Sequence, residues 1–370
     1  MQVTQYLDEL PSTAASDVQL VFAFATPAAY QARVAELRAA FPQALLAGCS
    51  SAGLIAGERV DDFPMVATAI SFAHSCVSHA WLKLADCAGD SFSAGQQLGA
   101  QLPKDGLRHV LLLADGLHVN GSALIDGLQH TLPAGVQVTG GLAGDGERFE
   151  QTYVYCNEHC TSQALLAIGL YGEALRIGHG SQGGWDSFGP ERLITKSVGN
   201  VLYSLDDQPA LALYKRYLGE HAAELPASGL KFPLSLRGPD GQPGVVRTIL
   251  GVNETDGSMT FAGDMPEGTY ARLMRANFER LLDGAAGAAE RCNSHLTQQD
   301  AELAVLISCV GRRMVLGQAV EEEVEAVRAT LGAKPVLCGF YSYGEISPLL
   351  DTEACTLHNQ TMTITVLGEA

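Results

Sequence analysis

Leu337-Cys338-Gly339-Phe340-Tyr341-Ser342-Tyr343-Gly344-Glu345-Ile346 decides how the chain is organised, because a version of it stands near the start: Leu46-Ala47-Gly48-Cys49-Ser50-Ser51-Ala52-Gly53-Leu54-Ile55. Aligned without gaps, the two share Leu46/Leu337, Gly48/Gly339, Ser51/Ser342, Gly53/Gly344 and Ile55/Ile346. Each copy reads as an apolar run feeding a loop with glycines five apart. Glycine there lets the backbone turn with φ > 0 and brings N–H groups close to something bound.

The match extends upstream. Apolar residues fall at Tyr30, Val34, Leu37 and Phe41 before the first copy, and at Val320, Val324, Val327 and Leu331 before the second. Both sets follow i, i+4, i+7, i+11, the buried stripe of a helix. Strand-like runs precede these helices at 18–26 and 303–310, and others follow the loops at 65–72 and 361–367. A middle copy has a strand at 109–114, a helix stripe of Ile125, Leu128 and Leu132, and a strand at 136–139. It then runs through Gly140-Gly141-Leu142-Ala143-Gly144 to a closing strand at 164–171. The expected fold class is therefore α/β with mixed sheets, built from three β-α-β-β units. The chain divides into two related regions, 1–205 with two units and a β extension, and 206–370 with inserted helices and strands before the third unit. Within them, 65–72 and 76–84 read as a hairpin, 208–218 and 277–292 as helices, and 295–300 as a polar link.

The 370 residues, 47% apolar and 17% charged, are enough to bury a large core. A net charge of −18 argues against a nucleic-acid partner and against docking to an anionic membrane. Asp8 and Glu9 interrupt the start of the chain, so no secretory signal is expected. Nine cysteines without regular spacing point to reduced thiols in the cytoplasm. The tight cluster Cys156-Asn157-Glu158-His159-Cys160 offers soft ligands but lacks the second pair that a structural zinc site uses.

In β-α-β crossovers the parallel strands end on one edge of the sheet, where open α/β sheets bind ligands. That edge gathers Thr26, Asp115, Cys309, Arg312 and Arg313 from first strands. From the loops come Gly48, Ser50, Ser51, Gly53, Gly140, Gly141, Tyr341, Ser342, Tyr343 and Glu345, and from the last strand His358, Asn359, Gln360 and Thr361. Enzyme signatures fail there. The Gly48 loop has Leu54-Ile55 where a phosphate-binding loop needs Lys-Ser/Thr, and Ser51 and Ser342 stand one residue off a nucleophile elbow. Catalysis through an activated Cys49 or the 156–160 cluster is the alternative from another class.

The ordered set Gly48–Gly53, Asp115-Gly116-Leu117, Thr139–Asp145, Ser181-Gln182-Gly183, Pro209-Ala210-Leu211, Phe261–Asp264, Gly339–Glu345 and His358–Thr361 resembles the FIST proteins, which carry N- and C-terminal FIST regions. The resemblance covers nearly the whole chain. It implies an intracellular sensor of a small ligand, in this family including amino-acid-like molecules. Around Gly178-His179-Gly180-Ser181-Gln182-Gly183-Gly184-Trp185 the chain is similar to stand-alone FIST proteins that bind haem and sense nitric oxide. Those proteins act on a partner histidine kinase and on cyclic-di-GMP signalling. The resemblance thus implies a non-covalent haem b with an axial histidine. The candidates are His179, placed among glycines where a flat macrocycle could approach the backbone, His358 and His118. A homodimer is left open.

Overall fold

The computed structural model describes residues 1–237, 243–293, 296, 300–348 and 354–370; of the expected polar link, 295 and 297–299 lie outside them. All three units are present and share one pattern. In unit 1 the first strand Leu20–Ala25 lies parallel to the second, Leu45–Cys49, and antiparallel to the third, Met65–Ser71. Unit 2 repeats this with Leu107–Ala114, Gln137–Leu142 and Ala164–Tyr171. Unit 3 repeats it with Leu303–Cys309, Val336–Ser342 and Met362–Glu369. First strands are buried along nearly their whole length, as expected for strands covered on both faces.

The crossover helices are Pro27–Ala40, Gly121–Gln129 and Glu321–Leu331, the last preceded by a short helix, Val310–Leu316. Pro27 occupies the first turn, where a missing N–H costs nothing, and the Thr26 hydroxyl accepts the Ala29 N–H at 3.3 Å. Val324, Val327 and Leu331 of the predicted stripe are fully covered.

One glycine per unit explains the repeated motif. A Cβ on Gly48 would lie 1.9 Å from the Ala23 carbonyl oxygen, on Gly140 1.9 Å from that of Leu112, and on Gly339 1.8 Å from that of Leu306. These glycines sit inside second strands and allow close approach of the neighbouring parallel strand. The expectation that they open a ligand loop is corrected accordingly.

The units also interlock. After each second strand the chain leaves to pair antiparallel with the second strand of another unit. Leu54–Ala56 of unit 1 pairs with Val336–Ser342, Gly344–Pro348 of unit 3 with Gln137–Leu142, and Val154–Cys156 of unit 2 with Leu45–Cys49. Three equivalent backbone bonds accompany these exchanges: Ala52 N–H to Tyr341 O at 2.9 Å, Gly144 N–H to Ser50 O at 3.1 Å and Tyr343 N–H to Leu142 O at 3.2 Å. The three units thus close a ring.

One sequence expectation is corrected. The strands Met65–Ser71 and Cys76–Lys83 do not form a hairpin. The first pairs with Leu20–Ala25 and with Gln2–Tyr6, the second with Ala164–Tyr171 in another sheet. Here the short connection passes between sheets instead of reversing within one. A nine-stranded sheet bridges the two regions, joining Trp185–Ser187 and Arg192–Val198 to Tyr270–Ala276. The helix Phe278–Asn293 then lies across Leu175–Gln182. No helix among the described residues is long and apolar enough to cross a membrane.

Candidate functional site

The residues expected at the strand ends reach three equivalent places rather than one pocket. The backbone N–H after each first strand bonds the same relative carbonyl: Thr26 to Pro64 at 3.0 Å, Asp115 to Ala164 at 3.0 Å and Cys309 to Thr361 at 3.1 Å. Thr26, Asp115 and Cys309 are therefore counterparts, and their surroundings differ.

In unit 2 the end is filled from within. Asp115 is fully buried. Its Oδ1 accepts the backbone N–H of Leu117 (3.0 Å) and His118 (2.7 Å) and lies 3.0 Å from His118 Nδ1; its Oδ2 accepts the Thr152 hydroxyl at 2.8 Å and the Gln163 N–H at 3.1 Å. With five partners, this carboxylate organises its own loop.

In unit 3 the polar side chains at this end are also satisfied from within, and a cleft of about 360 Å³ lies outside them against Val310 and Arg313. The Arg312 guanidinium donates to Glu323 Oε2 at 2.9 Å and to the Leu281 carbonyl at 2.7 Å, while Ser308 and Tyr341 hydroxyls donate to Glu323 Oε1 at 3.0 and 2.6 Å. Nearby, Glu345 takes the Ser342 hydroxyl at 2.6 Å and both the N–H and hydroxyl of Thr361 at 3.1 and 3.0 Å. Burial raises Glu345 to about 8, against the pull of those donors and of Arg312. Asn359 accepts the Thr248 N–H at 3.1 Å, and Gln360 donates to Leu230 O and Thr248 Oγ1, both at 2.9 Å. Arg312, Tyr341, Ser342, Glu345 and Asn359 are all completely covered, so as ligand contacts they are corrected to internal structure. Gly140 and Gly141 are likewise strand residues facing other strands.

Unit 1 is open. A cleft of about 200 Å³ lies at the ends of Leu20–Ala25 and Leu45–Cys49, against the N-terminus of helix Pro27–Ala40. Thr26, Ser50, Ser51 and Gly53 line one wall, as expected; Asp145, Arg148 and Tyr153 from unit 2 line the other. Asp62 and Phe63 also line it. The unit 2 wall is rigid. Asp145 accepts the N–H groups of Phe149, Glu150 and Gln151 at 3.0 Å each and the Tyr343 hydroxyl. Burial opposes its charge, but these donors prevail and hold its pKa below the usual carboxylate value. Tyr343 stacks on Phe149 at 4.5 Å, so it supports this wall from behind. Arg148 is largely exposed and lies 3.9 Å from Asp145. Asp145, Arg148 and Tyr153 were not among the sequence candidates. The motif Gly144-Asp145 held the only signal, since contact with unit 1 depends on ring closure.

Cys49 is fully buried beside this cleft, and burial pushes its thiol well above the ordinary value. An activated nucleophile needs the opposite shift. Cys156 and Cys160 lie on a small hairpin, each pushed up to about 11 by burial. Among the described residues no group of three or more His, Cys, Asp or Glu is placed to hold a metal ion.

The three haem-ligand candidates lie apart. His118 is engaged with Asp115. His358 is 4% exposed, its Nε2 lies 2.9 Å from Ser347 O, and burial lowers its pKa to about 4. His179 is 8% exposed and lines a cleft with Arg108, His109, Gln137 and Arg176. The glycines around it do not admit a macrocycle. A Cβ on Gly178 would stand 2.5 Å from Cys292 O, and one on Gly180 2.1 Å from Ala288 O, because helix Phe278–Asn293 packs on that face. His179 points to the other face, where the lining is polar rather than the apolar slot a haem requires. The surroundings of these three histidines do not fit haem.

Among solved structures, a cyanuric acid hydrolase from A. caulinodans is 9% identical, with 80% of this chain and 67% of that one covered and a TM-score of 0.24. A second cyanuric acid hydrolase, described as an innovation by structural concatenation, is 10% identical over 96% of this chain and 91% of its own, with a TM-score of 0.31. No curated protein matches the chain. The FIST N domain matches residues 19–208 and the FIST C domain residues 210–348. Together these cover most of the chain, which therefore belongs to the FIST family of small-ligand-sensing signalling domains.

Proposed function

We propose that this protein is a cytoplasmic sensor that takes a small polar ligand into the unit 1 cleft. The observation that carries this reading is the contrast among three equivalent strand ends: in two, buried carboxyl groups of the same unit take up the hydrogen bonds there, and in unit 1 none does, so its cleft reaches the strand ends themselves. The helix N-terminus favours an anionic group there, and Asp145 with Glu150 favours a cationic one. A zwitterionic, amino-acid-like molecule satisfies both.

The same cleft offers a route to an output. It joins unit 1 to unit 2, and Asp62 on its rim accepts Arg313 Nη2 at 2.9 Å, while Arg313 Nη1 reaches the Ala52 carbonyl at 2.5 Å. A ligand that draws Asp62 inward would move the start of helix Val310–Leu316 and so change a surface seen by a partner. A partner histidine kinase, with cyclic-di-GMP signalling downstream, is the output that the family resemblance favours. Haem with nitric oxide remains the family-derived alternative for the ligand, and the lining around His179 argues against it.

The test is a thermal-shift scan of amino acids and small carboxylic acids on the wild-type protein and on Ser51→Trp, which fills the cleft. A ligand at a hundred times its Kd adds about 2.7 kcal/mol of stability, a shift of a few degrees. Shifts in the wild type that vanish in Ser51→Trp support the reading. Equal shifts in both, or none in either, sink it. A Soret band in protein expressed with added haem, lost in His179→Ala, would restore the haem alternative.

A further inference from the structure

A second cleft, of about 500 Å³, lies at the opposite end of unit 2, where Leu107–Ala114 and Gln137–Leu142 begin and Leu175–Gln182 passes beside them. Its polar lining is Arg108, His109, Gln137, Arg176 and His179. We propose that this cleft binds a small organic phosphate, independently of the ligand assigned to unit 1.

The argument begins with charge. The chain has 41 acidic and 23 basic residues, so a cleft without a carboxylate runs against its composition. Four other clefts each include at least one: Asp145 in the first, then Glu158, Glu147 and Glu36. This one has none and holds two guanidinium groups. Neither Arg108 nor Arg176 forms an ion pair among the described residues; Arg176 donates to the backbone carbonyls of Glu173 and Leu175 at 2.8 and 3.3 Å. Guanidinium groups left without a carboxylate in an acidic protein match a dianion with several acceptor oxygens.

The floor is polar and fixed. His109 Nε2 lies 2.8 Å from the Thr139 hydroxyl, which accepts the Thr365 hydroxyl at 2.7 Å, and Thr365 is the register partner of His179. His109 stays uncharged at neutral pH, because burial pushes it down to about 3. The two arginines supply fixed positive charge beside it. The cleft is larger than a phosphate ion needs, and Leu175 and Ile177 add apolar surface for an organic body.

Isothermal titration of the full chain with phenyl phosphate and with inorganic phosphate tests this. Both are expected to bind, phenyl phosphate more tightly. Arg108→Gln/Arg176→Gln should weaken both by about tenfold or more, since charge-assisted hydrogen bonds are lost. Arg148→Gln, in the unit 1 cleft, should leave both unchanged, which separates this site from the proposed sensing site. Because both arginines are exposed, the double variant should melt like the wild type. No phosphate binding in the wild type, or undiminished binding in a folded double variant, overturns the site. Inorganic phosphate binding more tightly than phenyl phosphate overturns the organic body.

Discussion

Replacing Glu345 by Gln should change how stability depends on pH, and the direction follows from the structure. Glu345 has no exposed surface, and burial raises its pKa from 4.5 to about 8. A carboxyl raised in the folded state contributes stability that is fully present below the unfolded value of 4.5 and is lost as pH rises through 8. Between those limits the unfolded chain has released the proton and the folded chain still holds it. Each pH unit therefore costs about 1.4 kcal/mol, and the whole window about 5 kcal/mol. Glutamine keeps the shape and cannot titrate. Urea unfolding of wild type and Glu345→Gln at half-unit steps from pH 5 to 9 isolates the group, because other titrations cancel in the difference. The wild type should lose ground to the variant steadily up to about pH 8, after which the difference should stay constant. A difference that is flat across the window, or that favours the wild type as pH rises, would show Glu345 to be ionised throughout, held by Ser342, Thr361 and Arg312. The reasoning would then be refuted.

Gly339→Ala should cost more than about 3 kcal/mol, since its Cβ would stand 1.8 Å from a backbone carbonyl that cannot move alone. Gly48→Ala and Gly140→Ala should behave alike, and chemical denaturation would show any of the three to be tolerant. Arg312→Met should cost about 3–5 kcal/mol, because Glu323 is left buried and unpaired; adding Glu323→Gln should recover part of the loss in the same assay. Under native conditions Ellman's reagent should titrate the exposed Cys76 promptly, the half-buried Cys160 more slowly, and leave Cys49 unreacted; labelling that persists in Cys76→Ser/Cys160→Ser but is lost when Cys49→Ser is added would contradict the burial of Cys49.

The units themselves were legible because their signals are local. Helix stripes, strand runs and the glycine motif all lie within about sixty residues of one another, and the order of elements in each unit follows them, although Leu132 falls past its helix and the glycines lie in strands instead of loops. Ring closure was not legible. The pairing of Leu54–Ala56 with Val336–Ser342 spans almost the whole chain, and three residues carry too little pattern to announce a partner. The same limit produced the false hairpin at 65–84, where sequence proximity suggested pairing and each strand found a distant partner. The glycines around His179 show a further ambiguity. Sequence records that a backbone is approached closely, not by what; here the visitor is a helix of the same chain.

The candidate site was half legible for a related reason. Repetition placed Thr26, Asp115 and Cys309 at the ends of first strands, but did not show which end would be vacant. That depends on what each side chain does. Asp115 reaches back and collects five partners, and Glu345 and Glu323 occupy the corresponding space in unit 3. Thr26 is too short for this and spends its hydroxyl on the first turn of its own helix, while Pro27 removes an N–H that would otherwise call for a filler. With no buried charge to satisfy, the unit 1 end has no internal reason to close. Its second wall then comes from unit 2, already rigid through Asp145. A ring of three similar units can in this way keep two ends for stability and leave one for a ligand. The distinction rests on a few side chains, not on any difference in backbone.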